Sequence, residues 1–267
     1  MRKIRERYRY SVILLRELVR TDFKLRYQDS ILGYIWSLLR PLLLFLILYV
    51  VFTKLLKVGN AVPHYPVYLL LGIVLWNYFT EVTGGGVGAI VGRGDLLRKI
   101  NFPRYTVILS GSMSALINLF LNFIIIAVFM IVGHVGVTIR ALWLIPLIVE
   151  LFFVSIALSF FLSTLYVRFR DLSYVWEVLL QLGFYATPIF YPLSRLPHKY
   201  AVLAILNPLA QIIQDARYVL VTRRTQTIGQ LYHSGYVWLV PIGITLILTV
   251  LSMLYFKKRS RNFAEEI

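Results

Sequence analysis

The chain of 267 residues contains no cysteine, and only 15% of its residues are charged. Without cysteine it has no disulfide bonds, zinc–thiolate sites or thiol nucleophiles. Its histidines are few and scattered, and no two are paired at the spacing of metal ligands (His64, His134, His198 and His233). The sequence therefore predicts no metal site on this chain.

Nucleotide-binding and hydrolase motifs are also missing. No G-x-x-x-x-G-K-S/T phosphate loop, G-x-S-x-G or H-E-x-x-H pattern occurs. The run Gly84–Gly88 is rich in glycine but lacks the lysine and hydroxyl residue of a phosphate loop, so close helix packing or a flexible helix end is the better interpretation. We expect no catalytic residue and no cofactor on this chain, and any ATP that drives it must bind to another chain.

Hydrophobic residues make up 59% of the sequence, and its mean hydropathy is +0.74. Soluble domains average about 45–50% apolar residues, so an excess of this size requires solvation by lipid. The net charge of +16 would favour nucleic-acid binding in a soluble protein. Here the basic residues flank apolar runs, which indicates membrane topology instead, and we expect no nucleic-acid partner.

Six apolar stretches approach the roughly 20 residues that a helix needs to cross about 30 Å of hydrocarbon. They are Ile31–Phe52, Val67–Gly86, Tyr105–Val132, Leu142–Val167, Tyr174–Tyr191 and Tyr236–Phe256. The sequence therefore predicts an all-α, polytopic membrane protein with three parts. These are a cytoplasmic N-terminus (1–30), a single six-helix domain (31–256) and a basic tail (257–267).

Lysine and arginine counts orient the spans, because cytoplasmic loops carry an excess of both residues. With the N-terminus in the cytoplasm, the cytoplasmic segments 1–30, 87–104, 168–173 and 257–267 hold nineteen basic residues, and the outer segments hold eight. Both termini are therefore predicted to face the cytoplasm.

Two segments outside the spans have unusual patterns. Residues 11–27 place apolar and basic side chains on different helical faces, and the basic face carries Arg16, Arg20 and Lys24. This pattern favours an amphipathic helix in the membrane interface over a solvated arm. Residues 192–235 contain two short apolar runs, which we interpret as re-entrant helices dipping into the outer leaflet. The alternative is an external helical hairpin packed on the bundle.

Five groups of residues, taken in order along the chain, resemble one family. They are Leu25–Gly33 with Trp36 and Pro41, Tyr68–Gly72 with Trp76–Phe79, Leu97–Arg104, Phe169–Asp171 followed by Thr187–Ile189, and Asn207–Pro208. Together they are similar to the membrane subunit of ABC type-2 polysaccharide exporters, which move lipid-linked O-antigen, capsular polymers and wall teichoic acid. The resemblance covers nearly the whole chain.

The resemblance implies a homodimer in the bacterial cytoplasmic (inner) membrane, with two cytoplasmic ATPase subunits that bind ATP and Mg. It also implies a lipid-linked, O-antigen-like polysaccharide as substrate and a channel at the dimer centre, lined by the first and fifth spans. A capsule or teichoic acid permease and an ABC type-2 drug or lipid exporter remain alternatives. Outside this class, the alternatives are a membrane-embedded lipid-head transferase, for which acidic residues are sparse, and a non-catalytic scaffold.

Candidate contacts with the ATPase lie in the basic loop between the second and third spans. One or two helical turns ended by Pro103 would place Leu96, Leu97 and Ile100 on one face. The resemblance favours a coupling helix that docks into the ATPase, and the alternative is an ordinary positive-inside loop. The residues concerned are Asp95, Leu96, Leu97, Arg98, Lys99, Ile100, Phe102, Pro103 and Arg104.

Aromatic side chains in the first and fifth spans are candidates for lining the channel, because rings stack on sugar faces without requiring one hydrogen-bond geometry. Anchoring at the membrane interface and lipid-facing surface are the alternative roles for such rings. The candidates are Tyr34, Trp36, Phe45, Tyr49, Tyr174, Trp176, Phe184, Tyr185, Phe190 and Tyr191.

Charged residues within or beside the spans are candidates for lipid-head binding or gating, because they usually face protein or water. They are Arg16, Arg20, Lys24, Arg40, Arg170, Asp171 and Glu177. Arg40 would meet either a lipid pyrophosphate or a carboxylate in the bundle. Arg170 and Asp171 would form either a structural turn, with Asp171 capping the next helix, or a gate. Glu177 would contact substrate or pair with Arg170.

Overall fold

A computed structural model describes residues 12–22, 24, 35–94, 103–260 and 263, and the regular secondary structure of these residues is entirely helical. The main helices are α1 (12–22), α2 (Ile35–Val50), α3 (Tyr65–Val87), α4 (Tyr105–Val132), α5 (Leu144–Arg168), α6 (Leu172–Ala186), α7 (His198–Ala204), α8 (Pro208–Leu220), α9 (Ile228–Tyr232) and α10 (Leu239–Arg259). A π-helical turn, Val51–Leu55, extends α2, and a 3-10 turn, Ile139–Trp143, leads into α5.

Five helices are long and apolar enough to cross a membrane. They are Ile35–Leu55, Tyr65–Val87, Tyr105–Val132, Ile139–Arg168 and Leu239–Arg259. These confirm the first, second, third, fourth and sixth predicted spans. The last of them continues three residues beyond the predicted boundary, and its final turn carries Lys257, Lys258 and Arg259, cations that a helix C-terminus favours.

The predicted fifth span, Tyr174–Tyr191, is only partly helical. α6 ends at Ala186, and its 15 residues rise about 22 Å, which is less than the ~30 Å of a hydrocarbon core. Pro188 explains this end, because the residue before a proline avoids helical angles, and Thr187 is extended at φ −81° and ψ 137°. The described part of the chain thus has five full-length spans and one shorter helix, where the sequence predicted six spans.

α3 is the centre of the bundle, where it packs against α2, α4, α5, α6 and α8. α3 approaches α5 closely at Gly86, where an added Cβ would lie 2.6 Å from the Cβ of Ser159. The Ser159 hydroxyl donates a hydrogen bond of 2.9 Å to the Val82 carbonyl on α3. Close packing, one of the two interpretations of the glycine run, is therefore confirmed at Gly86, whereas Gly84 and Gly85 face open space.

Residues 51–64, 133–143 and 187–238 lie at one end of the bundle, which we call the hairpin end. Here α8 begins at an Asn207 cap, whose side chain accepts a hydrogen bond of 3.0 Å from Leu209 N. α8 is largely buried against α3 and α5, which agrees with both the re-entrant interpretation and the alternative of a hairpin packed on the bundle. α7 instead shares a small apolar cluster with α9, as in the alternative of an external hairpin.

α1 is helical, as the amphipathic pattern predicted, and lies at the end opposite the hairpin end. Leu14 packs against the apolar cluster formed there by α4, α5 and α10, and Asp22 pairs with Arg93 after α3. Arg16, Arg20 and Lys24 are exposed.

Candidate functional site: a polar stripe, a cavity and a buried arginine

α6 packs on the bundle through one face only. Its Trp176 ring lies 6.3 Å from the ring of Phe79, and its Phe184 ring lies 6.0 Å from that of Trp76, both on α3. Gly183 allows this approach, because a Cβ at that position would lie 2.9 Å from the Trp76 ring. The packed face fixes the rotation of α6 and therefore determines which side chains point away from the chain.

The exposed surface of α6 carries a line of polar side chains along one edge, next to the packed ring of Phe184. Tyr174, Glu177, Gln181 and Tyr185 are all exposed, and at 3.6 residues per turn they fall within an arc of about 80°. We call these four residues the α6 stripe. It offers two phenol rings, a carboxylate and an amide on an otherwise apolar helix, which suits a ligand that combines hydroxyl groups with flat apolar faces.

The remaining aromatic candidates of the fifth span have protein partners. Phe190 is 9% exposed, and its ring lies 4.8 Å from that of Phe52. The Tyr191 hydroxyl donates to the carbonyls of Tyr185 and Ala186, at 3.2 Å each, and so covers the last carbonyls of α6. Together with the packed rings of α6, these side chains support the helix that carries the stripe.

The aromatic candidates of the first span also include both an exposed ring and rings packed against the protein. Trp36 is 49% exposed, whereas Phe45 is 6% exposed, and its ring lies 5.6 Å from that of Tyr49 and 5.3 Å from that of Phe129. Tyr34 lies outside the described residues.

The turn before α6 does not form the ion pairs that its sequence suggested. Asp171 occupies the N-cap position of α6, but its side chain makes no capping hydrogen bond. No carboxylate lies within 4 Å of the Arg170 guanidinium in the described ranges, so Arg170 pairs with neither Asp171 nor Glu177. It lies instead over the ring of Tyr166, 5.5 Å from its centroid.

A cavity of about 1050 Å³, lined by both apolar and polar side chains, lies between α2, α3 and α4, and we call it the α2–α4 cavity. Asn118 Nδ2 donates a hydrogen bond of 2.8 Å to Glu81 Oε1 within its wall, and Asn122 Nδ2 donates one of 2.8 Å to the Asn118 carbonyl. Arg40 lines the cavity, is exposed, and has no carboxylate within 4 Å among the described residues.

Arg217 on α8 is completely buried at the hairpin end of α6. Its guanidinium donates to the carbonyls of Tyr68 at 3.0 Å and Pro188 at 2.7 Å, and also to that of Ile189. It lies 3.6 Å above the Tyr68 ring centroid. Gly72 makes room for it, because a Cβ there would collide with the guanidinium. One side chain thus joins α8, α3 and the segment that follows α6.

Asp215, two residues before Arg217, is also largely buried. Burial raises the pKa of the Asp215 carboxyl to about 6, while the hydrogen bond of 2.6 Å donated by Gln211 acts in the opposite direction. Both protonation states of Asp215 are therefore populated near neutral pH.

Comparison with known proteins now assigns the family. Residues 13–221 match the family described as ABC-2 type transporter. The chain belongs to this membrane family. It is 30% identical to the O-antigen export system permease protein RfbA of Myxococcus xanthus over 100% of both chains. It is 31% identical to RfbA of Klebsiella pneumoniae over 96% of this chain and 95% of the relative. It is also 22% identical to the polysialic acid transport protein KpsM of Escherichia coli, over 80% and 83% of the two chains.

The region that matches the ABC-2 family includes α2 to α8, and with them the α6 stripe, the α2–α4 cavity and Arg217. It also includes the predicted coupling loop, of which Asp95–Phe102 lie outside the described residues. Pro103 and Arg104 directly precede α4, and the Arg104 guanidinium lies 5.8 Å from the centroid of the Phe263 ring.

Several residues of the site were not predicted from the sequence, among them Gln181, Arg217 and the cavity residues Asn118 and Asn122. Gln181 could have been found, because it continues the spacing of Tyr174, Glu177 and Tyr185 on one helical face. Arg217 was counted only as an outer basic residue, since nothing in its neighbourhood along the chain indicates a binding site made of carbonyl groups more than 25 residues away.

Proposed function

We propose that this chain is the transmembrane subunit of an ATP-driven exporter that moves a lipid-linked, O-antigen-like polysaccharide across the bacterial cytoplasmic membrane. The α6 stripe is the observation that carries the proposal, because it places a hydroxyl-binding and ring-stacking surface on a helix that packs beside the membrane-spanning helix α3. The RfbA relatives, which are similar over nearly their full length, support the O-antigen class over capsular or teichoic polymers.

The stripe needs a second surface to form a channel. The Tyr185 ring touches the rings of Phe184 and Phe190, but all four residues of the stripe remain exposed. A second copy of the chain placed face to face would supply an identical stripe. The sugar rings would stack on Tyr174 and Tyr185, and their hydroxyl groups would bond to Glu177 and Gln181. These contacts are few and repeated along the helix, so a polymer can move from one to the next.

The α2–α4 cavity gives the lipid end of the substrate a separate place. Arg40 supplies a cation, and the amide groups of Asn77 and Asn122 add hydrogen-bonding capacity along the same wall. A pyrophosphate between lipid and glycan carries several acceptor oxygens, which guanidinium groups bind well. Arg40 is in this proposal the residue that receives the lipid head.

Two cytoplasmic ATPase subunits, each with ATP and Mg, would drive the transport. The loop Asp95–Arg104 connects α3 and α4 at the end opposite the hairpin end, and both termini would face the cytoplasm on that side. The ion pair between Asp22 and Arg93 links α1 to the start of this loop. A push on the loop would therefore reach α1 and α3 together.

The experiment that tests the function is purification from the native membrane in mild detergent through a C-terminal tag. We expect a stoichiometric ATPase subunit with a phosphate-loop motif to accompany the chain. Leu97→Asp in the loop should release it, while the same change at exposed Leu56, at the hairpin end, should not. Absence of any ATPase, even after mild cross-linking, would contradict the exporter and favour the transferase or scaffold alternatives.

A further inference from the structure

A second cavity opens at the hairpin end, away from the α6 stripe. It measures about 190 Å³ and lies between the start of α3, the end of α8 and the segments 61–63, 192–195 and 222–226. Its polar lining includes Tyr68, Arg195, Gln214, Arg224, Thr225 and Gln226. None of these side chains has a role in the function proposed above.

Three polar atoms of this cavity are buried without a hydrogen bond. Gln214 is 0% exposed and Thr225 is 6% exposed, and neither Gln214 Oε1 nor Thr225 Oγ1 has a partner in the described part of the chain. The Tyr68 hydroxyl lies beside the Gln214 side chain, also without a bond of normal geometry. Folded proteins rarely leave buried polar atoms unbonded, and such atoms often mark the place of a bound ligand or water.

The orientation of the Gln214 amide determines which hydrogen-bonding groups a ligand of this cavity must carry. Its nitrogen donates to the Pro188 carbonyl at 3.3 Å, so its oxygen is available to accept a bond from a ligand or from the neighbouring Tyr68 hydroxyl. The Thr225 and Tyr68 hydroxyls can each donate or accept. Arg195 and Arg224 add donors at the rim. A matching ligand carries several hydroxyl groups that both donate and accept.

The volume of the cavity also fits a ligand that carries several hydroxyl groups. The volume corresponds to about six water molecules at about 30 Å³ each, and one sugar ring with its hydroxyl groups occupies a similar space. We propose that this cavity binds a single sugar residue of a glycan, with Gln214 and Thr225 bonding its hydroxyl groups. The inference rests on the proposed function, in which the hairpin end faces outward and meets the glycan as it leaves.

Saturation-transfer NMR on the purified protein in detergent tests the proposal, with the methyl glycosides of galactose, mannose, rhamnose and glucuronic acid as probes. We expect transfer to at least one glycoside, and its loss in Thr225→Val, which keeps the shape of the side chain and removes the hydroxyl. Thr245→Val is the matched control, because the Thr245 hydroxyl is equally buried and unbonded but lies outside this cavity.

Two results would overturn the proposal: no glycoside binds the unchanged protein, or Thr225→Val binds as well as Thr245→Val. Thermal unfolding without glycoside distinguishes a sugar-binding cavity from one that is filled by bound water. If Thr225→Val unfolds at a lower temperature than Thr245→Val, bound water already satisfies the hydroxyl and the cavity is a hydration site.

The binding assay needs no ATPase, so the two proposals fail separately. An ATPase that purifies with a chain binding no glycoside would leave the exporter standing and remove only the sugar site. Glycoside binding by a chain without an ATPase would do the reverse.

Discussion

Replacement of Arg217 by lysine tests whether the buried guanidinium holds the hairpin end together. The guanidinium bonds three carbonyls, those of Tyr68, Pro188 and Ile189, and stacks on the Tyr68 ring. An ammonium keeps the charge but lacks the planar fork, so at least one charge-assisted bond is lost, worth about 1.5–3 kcal/mol. Loss of the stacking adds about 0.5–2 kcal/mol. The expected decrease in the free energy of unfolding is about 2–5 kcal/mol.

The assay is the apparent unfolding temperature in mild detergent, followed by tryptophan fluorescence at one heating rate because membrane proteins often unfold irreversibly. At about 2–4 °C per kcal/mol, this loss of stability corresponds to a fall in the apparent unfolding temperature of roughly 4–20 °C. Arg223→Lys is the matched control, since Arg223 is exposed, and it should change stability by less than about 0.5 kcal/mol. If both variants unfold at the same temperature, the bonds of Arg217 do not support the fold and the reasoning is refuted.

Two further predictions concern the bundle and the stripe. Gly86→Ala should lower stability by about 1–3 kcal/mol, because its Cβ would collide with Ser159, whereas Gly84→Ala faces open space and should raise stability by about 0.5–1 kcal/mol; equal shifts in unfolding temperature would contradict this. Gln181→Leu should reduce glycan export about five- to tenfold, the equivalent of one hydrogen bond of about 1–1.4 kcal/mol, without changing the unfolding temperature of the exposed helix. Unchanged surface glycan would exclude Gln181 from the channel.

Hydropathy was enough to predict the five long spans, because lipid forces each crossing helix to be apolar over about 20 residues. The same rule overestimated the fifth span. The hydropathy of this segment predicted one continuous helix over Val175–Leu182 and Phe184–Phe190. Pro188 instead ends the helix near Ala186, and the residues that follow, up to Phe190, are buried against the bundle. Composition records how apolar a segment is, and backbone geometry decides where its helix stops.

The aromatic residues show why the site itself was harder to predict. Periodicity separates Tyr174 from Trp176 onto different faces of α6, but only the partner helix decides which face packs. The small side chain of Gly183 lets Trp76 approach, and this contact assigns the packed face. The three carbonyls around Arg217 come from distant parts of the chain. Every residue has a backbone carbonyl, so the sequence does not indicate which carbonyls will bind the guanidinium.

The groups around Arg217 are also synthesised in a fixed order. Tyr68, Pro188 and Ile189 all precede Arg217 in the chain, so the ribosome has made the complete binding site before the arginine emerges. A nascent chain that has just completed α8 already contains every carbonyl that binds the guanidinium. Biosynthesis thus never has to keep this guanidinium in the membrane without its partners.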